Sequence, residues 1–505
     1  MLLVIAIPSF PVIIQTPSVC RVGDDFYLVN STFQYFPGVP IFHSRDLIHW
    51  QQIGNVLDRP SQIPLGQATS WQGIYAPTIR YNDGTYYMIT TNVGNGGNFM
   101  VTATNPAGPW SEPIWLKQQG IDPSLYFENG KCYMVSNPED AIWLCEINPK
   151  TGEQLTESRM LWRGTGGRYP EGPHLYKKDG YYYLLISEGG TEYGHSITIA
   201  RSKKIEGPYQ PNPDNPILCH QRCITQSSQI QGTGHADLVQ AADGSWWMVF
   251  LAFRTYGGNY HHLGRETFLA PVEWKKGQWP VVNGNGTVDT LMQVATLPQQ
   301  QPKPVGGRVD FKSGKLGPEW ISIQNPVQGN YVVSDGRLRL TASPSTLEEN
   351  DHPTFMGRRQ EAAKMTVRTL VDVSGMPMGA EAGLTVYQIN DGLYKLFARR
   401  AMIDGCSVTE VVQAYKVKNL EREDVLLSTS DTQVCLQIDS DGEYYDFLVI
   451  DENTEDYVKG KRLDAIMLSS EVAGGFTGVV LGMYAAGANR QGYADFLYFD
   501  YQEKP

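Results

Sequence analysis

Five short segments of this chain repeat one pattern, in which a turn containing Gly or Asp leads straight into a run of aromatic and aliphatic residues. Such a turn joins two antiparallel strands, and the apolar run after it predicts a buried strand. Repeats spaced by about 45 to 65 residues are typical of propeller blades, because each small sheet needs neighbours to cover its faces. The sequence therefore predicts an all-β chain that begins with a five-bladed β-propeller. The five segments are residues 23–29 (GDDFYLV), 83–89 (DGTYYMI), 129–135 (NGKCYMV), 179–185 (DGYYYLL) and 243–249 (DGSWWMV).

A second domain follows the repeats, as expected for a chain of 505 residues, which is too long for one ordinary core. The repeat pattern fades after about Met292, and residues 298–305 form a polar, proline-rich connector that favours neither helix nor central strand. Later runs, such as residues 336–340, 380–386 and 476–484, read as strands between polar turns and predict a β-sandwich. The predicted domains are the propeller over 1–297, a linker over 298–308 and the sandwich over 309–505.

Charge and cysteine content exclude several classes of function. The net charge of −12 argues against nucleic acid as a partner. No run approaches the roughly 18 apolar residues that a membrane span requires, so no membrane partner is expected. Cysteines are odd in number and scattered, which predicts reduced thiols, and Cys219 with Cys223 has no second pair nearby and reads as a loop rather than a metal site. The cysteines are residues 20, 132, 145, 219, 223, 406 and 435.

The segment from Arg168 to His174 (RYPEGPH) holds the first candidate for catalysis. Pro170 and Pro173 fix the backbone and Gly172 allows a close turn, so Glu171 can be held rigidly at the end of a strand. Enclosure by the aromatic residues on either side is expected to raise the pKa of Glu171 toward that of a general acid. The alternative interpretation is a solvated glutamate in a loop.

Several motifs, in this order, resemble those of glycoside hydrolase family 43, in the β-xylosidase and α-L-arabinofuranosidase branch that carries a C-terminal sandwich. The resemblance extends over nearly the whole chain. It rests on residues 31–38 (STFQYFPG), 73–81 (GIYAPTIRY), 121–125 (IDPSL), 170–174 (PEGPH), 232–237 (GTGHAD), 263–267 (LGRET) and, in the sandwich, 353–360 (PTFMGRRQ).

The resemblance implies a propeller followed by a concanavalin-like β-sandwich, and inverting hydrolysis that releases terminal xylose or arabinofuranose from an oligosaccharide. Family members use a general acid that faces a base activating water. By resemblance, Glu171 is the acid and Asp122 is the carboxylate that orients it and adjusts its pKa. A turn aspartate before Pro123 is the alternative for Asp122. No cofactor is required for this chemistry.

Substrate-binding residues follow from the same resemblance. Arg265 corresponds to an arginine that holds sugar hydroxyls, and otherwise reads as a surface residue. Phe33, Trp71 and Tyr75 are expected to form the aromatic walls of the sugar pocket, with Tyr75 standing where close relatives often have Trp. His235 resembles a histidine near the propeller axis that is sometimes associated with calcium, and a hydrogen-bonded core histidine is the other interpretation.

One position departs from the family pattern. Family members carry the general base in an early Pro-Asp-Pro-Ser motif, and here the run is Gln15-Thr16-Pro17-Ser18. Threonine has no ionisable group near neutral pH, so Thr16 cannot take a proton from the attacking water. Loss of a general base commonly costs about two to four orders of magnitude in rate. A substitute base from Asp24 or Asp25 in the first hairpin turn is an alternative, although both read as structural.

Residues 7–16 suggest how the general-base aspartate was lost. A DNA sequence for the family-like peptide Asn-Pro-Ile-Leu-Pro-Gly-Tyr-Tyr-Pro-Asp, read one base later with suitable codons, gives the residues found at 7–16 at every position. The hypothesis is that the segment up to Thr16 is translated in a shifted reading frame, and that one extra nucleotide before Pro17 restores the frame. The opening apolar residues lack the basic region of a signal peptide. The chain as written therefore predicts a cytoplasmic protein, and a missing true N-terminus would allow a periplasmic or secreted one.

Two functions remain open at this point, an exo-acting pentosidase and a catalytically inactive sugar-binding protein of the same family. Xylose and arabinofuranose are both pentoses with similar hydroxyls, so the sequence does not separate them. It also leaves the oligomeric state open, homo-oligomers included.

Overall fold

The computed structural model describes residues 3–6, 15–220, 229–289, 291–294, 306–487 and 491–504. Within these ranges the chain is nearly all β, and its one short helix is a 3₁₀ turn, Ala465–Leu468. No helix in the described part of the chain is long and apolar enough to cross a membrane. The six described cysteines carry no disulfide, whereas Cys223 of the Cys219–Cys223 pair lies outside the described residues.

Five antiparallel sheets follow one another along the chain and confirm the predicted propeller. Their first strands contact one another around a common axis, which makes them the innermost strands. From the axis outward, the blades are Ser18–Val22, Asp25–Val29, Gly38–Ser44 and Gln51–Leu57; Thr78–Asn82, Thr85–Val93, Gly97–Ala103 and Ile114–Trp115; Ile121–Glu128, Lys131–Asn137, Ile142–Ile147 and Arg159–Trp162; Glu171–Lys178, Tyr181–Glu188, Ser196–Ser202 and Gln210–Pro211; Ile230–Gln240, Trp246–Arg254, Glu266–Glu273 and Val281–Val282.

Each predicted turn joins the innermost strand of a blade to its second strand. In the first blade, for example, Val22 pairs with Asp25 across the turn. The aromatic runs that follow the turns are therefore the second strands, buried between neighbouring blades, and the strands at the axis precede the turns. Two short strands pair with blades, Gly73–Ile74 with the second and Leu218–Cys219 with the fourth. Leu3–Ala6 and Leu291–Val294 pair with each other.

The second domain is a sandwich of two antiparallel sheets, as predicted. It begins with a strand at Gly307–Val309, which overlaps the last two residues assigned to the linker, while residues 298–305 lie outside the described part. Among the described residues, one sheet contains Gly307–Val309, Tyr331–Ser334, Arg337–Thr341, Lys364–Asp372, Gln433–Asp441, Tyr444–Ile450, Tyr457–Lys459, Leu463–Asp464, Tyr493–Phe496 and Phe499–Glu503, and the other contains Thr354–Arg359, Glu381–Ile389, Gly392–Ile403, Cys406–Val417, Leu420–Thr429 and Val480–Ala486.

The two domains are joined by backbone contacts as well as by side chains. Tyr35–Phe36 of the propeller pairs with Ser322–Ile323 of the sandwich side. Close to the site described below, a side chain at Gly478 would lie 2.0 Å from the carbonyl oxygen of Leu263, so only glycine fits there. This approach explains why the strand predicted from Phe476 begins only at Val480. Gly478 has a φ of 72°, and the residues before the strand form a loop against the propeller.

A buried ion pair holds the innermost strands together at the axis. The Asp237 carboxylate is fully buried and accepts from the Arg80 guanidinium through both oxygens, at 2.8 and 3.1 Å. Ser18 Oγ and Tyr176 Oη also donate to it, each at 2.6 Å. Burial raises the pKa of Asp237, but Arg80, His174 and Ser18 together outweigh burial and hold the pKa below its usual value, so the group stays charged.

We predict that Arg80→Met strongly destabilises the propeller, because it leaves the Asp237 charge buried without its partner. The expected loss in free energy of unfolding is about 3–5 kcal/mol. Urea unfolding followed by tryptophan fluorescence measures it. Arg45→Met is the matched control, since Arg45 forms an exposed ion pair with Asp25 and its loss should change little. Equal effects of the two substitutions would contradict the structural role of the axial pair.

Candidate active site

The innermost strands begin at the same end of the propeller, and most begin with an irregular backbone. Thr16, Asp122 and His235 have positive φ angles of 45°, 52° and 47°, and Gly172 has one of 57°. The pairing register shifts immediately after Ile121, Glu171 and Gln231, which marks bulges in three blades. Bulges turn side chains out of the sheet pattern. Side chains from several blades are therefore aimed into one space at the mouth of the propeller.

Glu171 opens the innermost strand of the fourth blade, and 16% of its side chain is exposed. Its Oε1 hydrogen-bonds with His195 Nε2 at 3.0 Å and lies 3.8 Å from His235 Nδ1. The predicted rise in pKa is wrong for the protein without substrate. Burial does raise the pKa of Glu171, but the two histidines lower it by more. The neighbouring aromatic Tyr169 is exposed and does not enclose the carboxyl group.

Asp122 lies beside this acid and is bonded to its backbone. The carboxylate is 6% exposed, and its Oδ2 accepts from the Gly172 amide at 3.2 Å. Burial, together with the charge of Glu171, raises the pKa of Asp122 to about 6. Because the flanking Pro170 and Pro173 have no amide hydrogen, Gly172 supplies the donor through which Asp122 fixes the segment that carries Glu171.

His235 lies between the two carboxylates, with Nδ1 at 4.0 Å from Asp122 Oδ2. Burial lowers the pKa of His235, but the charges of Asp122 and Glu171 more than offset this and raise it. No group of three or more His, Cys, Asp or Glu side chains in the described ranges could hold a metal ion. Calcium prefers six or more oxygen ligands, and this nitrogen between two carboxylates is a poor fit. The suggested calcium stays a prediction.

Thr16 precedes the innermost strand of the first blade and is buried. Its hydroxyl donates to Ser31 Oγ rather than to a carboxylate. A β-branched residue with positive φ is strained, whereas Asp and Asn tolerate this conformation. The backbone at position 16 therefore suits the aspartate of the family motif better than the threonine present.

Asp24 and Asp25 do not reach this space. They lie at the far end of the hairpin, where Asp25 pairs with Val22, while Ser18 at the near end pairs with Val29. Four residues of strand separate the ends by about 13 Å. Asp25 is also occupied by His43 at 2.7 Å and Arg45 at 3.0 Å. The hypothesis of a substitute base from this turn is therefore wrong.

Arg265 is 5% exposed and provides the positive charge of the site. It donates to Gln15 Oε1 at 2.8 Å and to the Thr191 hydroxyl. Burial lowers the pKa of Arg265 to about 10, against the opposing effects of Glu171 and Asp122. Gln15 precedes Thr16 in the chain, so this contact brings the start of the first blade beside the Arg265 guanidinium. Arg265 is thus a buried group of the site, and the surface interpretation is wrong.

The expected aromatic residues form a wall near Arg265. Phe33 is buried, with its ring centroid 5.1 Å from that of Tyr75. Trp71 is 46% exposed at the rim, and Tyr75 Oη donates to its carbonyl oxygen at 2.6 Å. Phe476 of the sandwich completes the wall, edge-on to Trp71 at 4.5 Å and 4.7 Å from the Arg265 guanidinium carbon. The sandwich thereby closes one side of the pocket.

Sequence reasoning missed four residues of this site, namely Gln15, Thr191, His195 and Phe476. Thr191 and His195 follow Gly189-Gly190, a glycine pair in a strand-ending loop that could have marked them. His195 also explains Gly234, because a side chain there would come within 2.2 Å of the imidazole ring. Phe476 carried no local signal, since its role depends on the contact between domains.

Four of these residues, Trp71, Thr191, Arg265 and Phe476, line a cavity of about 370 Å³ between the propeller and the sandwich. It contains a buried cation and aromatic faces, and Arg265 interacts electrostatically with Glu171 and Asp122, whose pKa values are shifted. Such a combination is typical of a small-molecule site. The geometry suits a neutral, hydroxyl-rich ligand that stacks on aromatic rings.

Comparisons with known proteins agree with this geometry. Residues 5–280 match the model of glycosyl hydrolases family 43, and residues 308–502 match that of the beta xylosidase C-terminal concanavalin A-like domain. A non-reducing end alpha-L-arabinofuranosidase of Bacteroides ovatus is 42% identical over 96% of this chain and 92% of its own. A xylosidase/arabinosidase of Butyrivibrio fibrisolvens is 39% identical over 96% of this chain and 97% of its own.

A solved structure supports the same assignment. The structure described as Bacteroides ovatus xyloglucan PUL GH43B superposes with a TM-score of 0.92 at 40% identity, and the match covers 99% of this chain and all of the other. The chain therefore belongs to glycosyl hydrolases family 43.

Proposed function

We propose that this chain is an exo-acting, inverting glycosidase for terminal arabinofuranose or xylose, in which Thr16 leaves the general-base position without a carboxylate. The observation that carries the proposal is the pair of Glu171 and Asp122, tied together through Gly172 beside Arg265. The two relatives described above are both named for arabinose release, so arabinofuranosides are the first substrates to test.

Glu171 is the general acid in this proposal. In the free protein the histidines favour its carboxylate form. A bound sugar would displace water from the pocket, and further desolvation favours the protonated form that can donate to the glycosidic oxygen. Asp122 acts on the same group through the Gly172 amide and through charge repulsion. Arg265 would hold hydroxyls of the terminal sugar by hydrogen bonds.

The position of the sandwich supports attack at a chain end. Phe476 and the loop around it close the pocket on one side, against Trp71 and Phe33. A cavity closed in this way suits the terminal unit of a chain, whereas an internal unit needs an open groove. The proposed products are single pentoses released from oligosaccharides.

Inversion requires a base on the face of the sugar opposite the acid, with room for a water molecule. Thr16 occupies that position by its motif and offers only a hydroxyl that is already bonded to Ser31. A second candidate function follows from this observation, namely sugar binding without turnover. The intact acid, arginine and aromatic walls are compatible with both candidates.

We predict that Thr16→Asp raises kcat on aryl α-L-arabinofuranoside or aryl β-xyloside by about 10²–10⁴-fold, since it supplies a base and relieves the strain at positive φ. A paired assay of both proteins measures this, with Thr16→Asn as the control that relieves strain without adding a base. Equal activity of Thr16→Asp and the unmodified chain would contradict the assignment of position 16.

In the Thr16→Asp background, Glu171→Gln is predicted to lower kcat by about 10²–10⁴-fold on a disaccharide, whose leaving group needs a proton. The loss should be much smaller on a nitrophenyl glycoside, because nitrophenolate leaves without protonation. Steady-state kinetics on both substrates give the ratio. An equal loss on the two substrates would argue that Glu171 has another role.

The frameshift hypothesis predicts one extra base in the codons before Pro17 of the gene. Residues 7–14 lie outside the described part of the chain, so DNA sequencing is the relevant measurement. The restored frame should encode Asp at the position of Thr16. A genomic sequence with no extra base there, and with stop codons in the alternative upstream frame, would rule the hypothesis out.

A further inference from the structure

The cavity extends beyond the residues that would hold a terminal pentose. One part of it contains Arg265 and Phe476, with Trp71 packed against Phe476. The rest, its outer part, is lined by Glu192, Tyr193, Phe253, His261 and Glu471. A volume of about 370 Å³ is within the range that encloses whole ligands. A sugar seated against Arg265 would therefore leave the outer part for the unit attached to it.

The outer part has an aromatic floor. The imidazole of His261 stacks on Phe253 with centroids 4.0 Å apart and an angle of 14°. The ring of Tyr193 meets Phe253 edge-on at 5.3 Å. Flat rings of this kind offer apolar contact to the face of a sugar ring.

Glu471 of the sandwich stands over this floor with a fixed carboxylate. Its Oε1 lies 2.6 Å from His261 Nδ1, and its Oε2 accepts from the His261 amide at 3.1 Å. About a quarter of the side chain is exposed. Each carboxylate oxygen has a second lone pair. Glu471 can therefore accept two further hydrogen bonds without moving.

Glu471 keeps its charge at the mouth of the cavity, where its side-chain partner is the His261 imidazole. Burial raises the pKa of Glu471, but the bonds from His261 outweigh burial and keep the pKa below its usual value. Glu192, also at the mouth, is paired with Arg168 at 2.7 Å. The buried Arg265 is bonded to Gln15 and Thr191 at the other end. A second negative charge in the outer part would be repelled.

We propose that Glu471 selects the leaving group of the substrate. The outer part of the cavity binds a neutral sugar whose adjacent hydroxyls donate to Glu471, and it disfavours a uronic acid in that place. The inference rests on the proposed function, because it concerns the same pocket. It assigns a specificity-determining residue to the second domain.

Binding to the unmodified chain is the first test and needs no turnover. Isothermal titration calorimetry compares xylose, xylobiose, arabinofuranosyl-xylose and a xylosyl-glucuronic acid disaccharide. We expect the better neutral disaccharide to bind at least tenfold more tightly than both xylose and the acidic disaccharide, since hydrogen bonds to a charged group are stronger than those between neutral groups. Equal affinity for neutral and acidic disaccharides, or no binding of either, would overturn the proposal.

Glu471→Gln keeps the shape and an acceptor for the His261 amide but removes the charge. In the Thr16→Asp background we expect about a tenfold or larger fall in kcat/KM on the neutral disaccharide and a change of less than about threefold on the aryl pentoside, which offers no leaving-group hydroxyls. Glu455→Gln is the control, since Glu455 belongs to the same domain, is exposed and paired with Arg368, and does not line the cavity. Thermal melting establishes that each variant is folded.

The outcomes separate this inference from the proposed function. If Thr16→Asp hydrolyses no pentoside while the binding preference is observed, the proposed function fails and the binding of a neutral sugar beside Glu471 stands. If Thr16→Asp is active and Glu471→Gln affects both substrates equally, the role of Glu471 fails alone. The binding comparison on the unmodified chain decides the matter even if Glu471→Gln does not fold.

Discussion

The propeller depends on the hydrogen bonds and the ion pair of the fully buried Asp237 carboxylate. The carboxylate receives Arg80 from the second blade, Ser18 from the first and Tyr176 from the fourth, while belonging itself to the fifth. A charge in this position is stable only when every partner is in place, because an unpaired buried charge is costly. The network therefore fixes how the innermost strands are arranged around the axis more than it adds to net stability.

That arrangement decides where the chemistry lies. With the strands fixed at the axis, their irregular first residues meet at one mouth, and the positive φ values at Asp122 and His235 turn those side chains inward. The bulge after Glu171 does the same for the acid. The strain of these backbones is compensated by the regular pairing that follows in each strand. At position 16 the same backbone is present with a residue that suits it poorly.

The sandwich acts on the pocket through one loop. The contact between Gly478 and Leu263 is so close that the loop has a defined position relative to the propeller. Phe476 then forms part of the wall, and Glu471 lies over the floor made by His261. Both side chains lie between the 3₁₀ turn Ala465–Leu468 and the strand that begins at Val480, outside the two sheets. Domain contact, rather than the sandwich core, gives this domain its part in the site.

The sequence by itself determined the class of fold and the five hairpin turns, because turn chemistry is local, and its resemblance to the family pointed to Glu171, Asp122 and Arg265. It did not determine the pKa of Glu171, which depends on His195, just before the third strand of the blade, and on His235 from the fifth blade. Nor did it indicate Phe476, since that side chain joins the pocket only through packing between domains. Charge interactions and domain contacts act between residues that are far apart in the chain, so only the tertiary structure decided them.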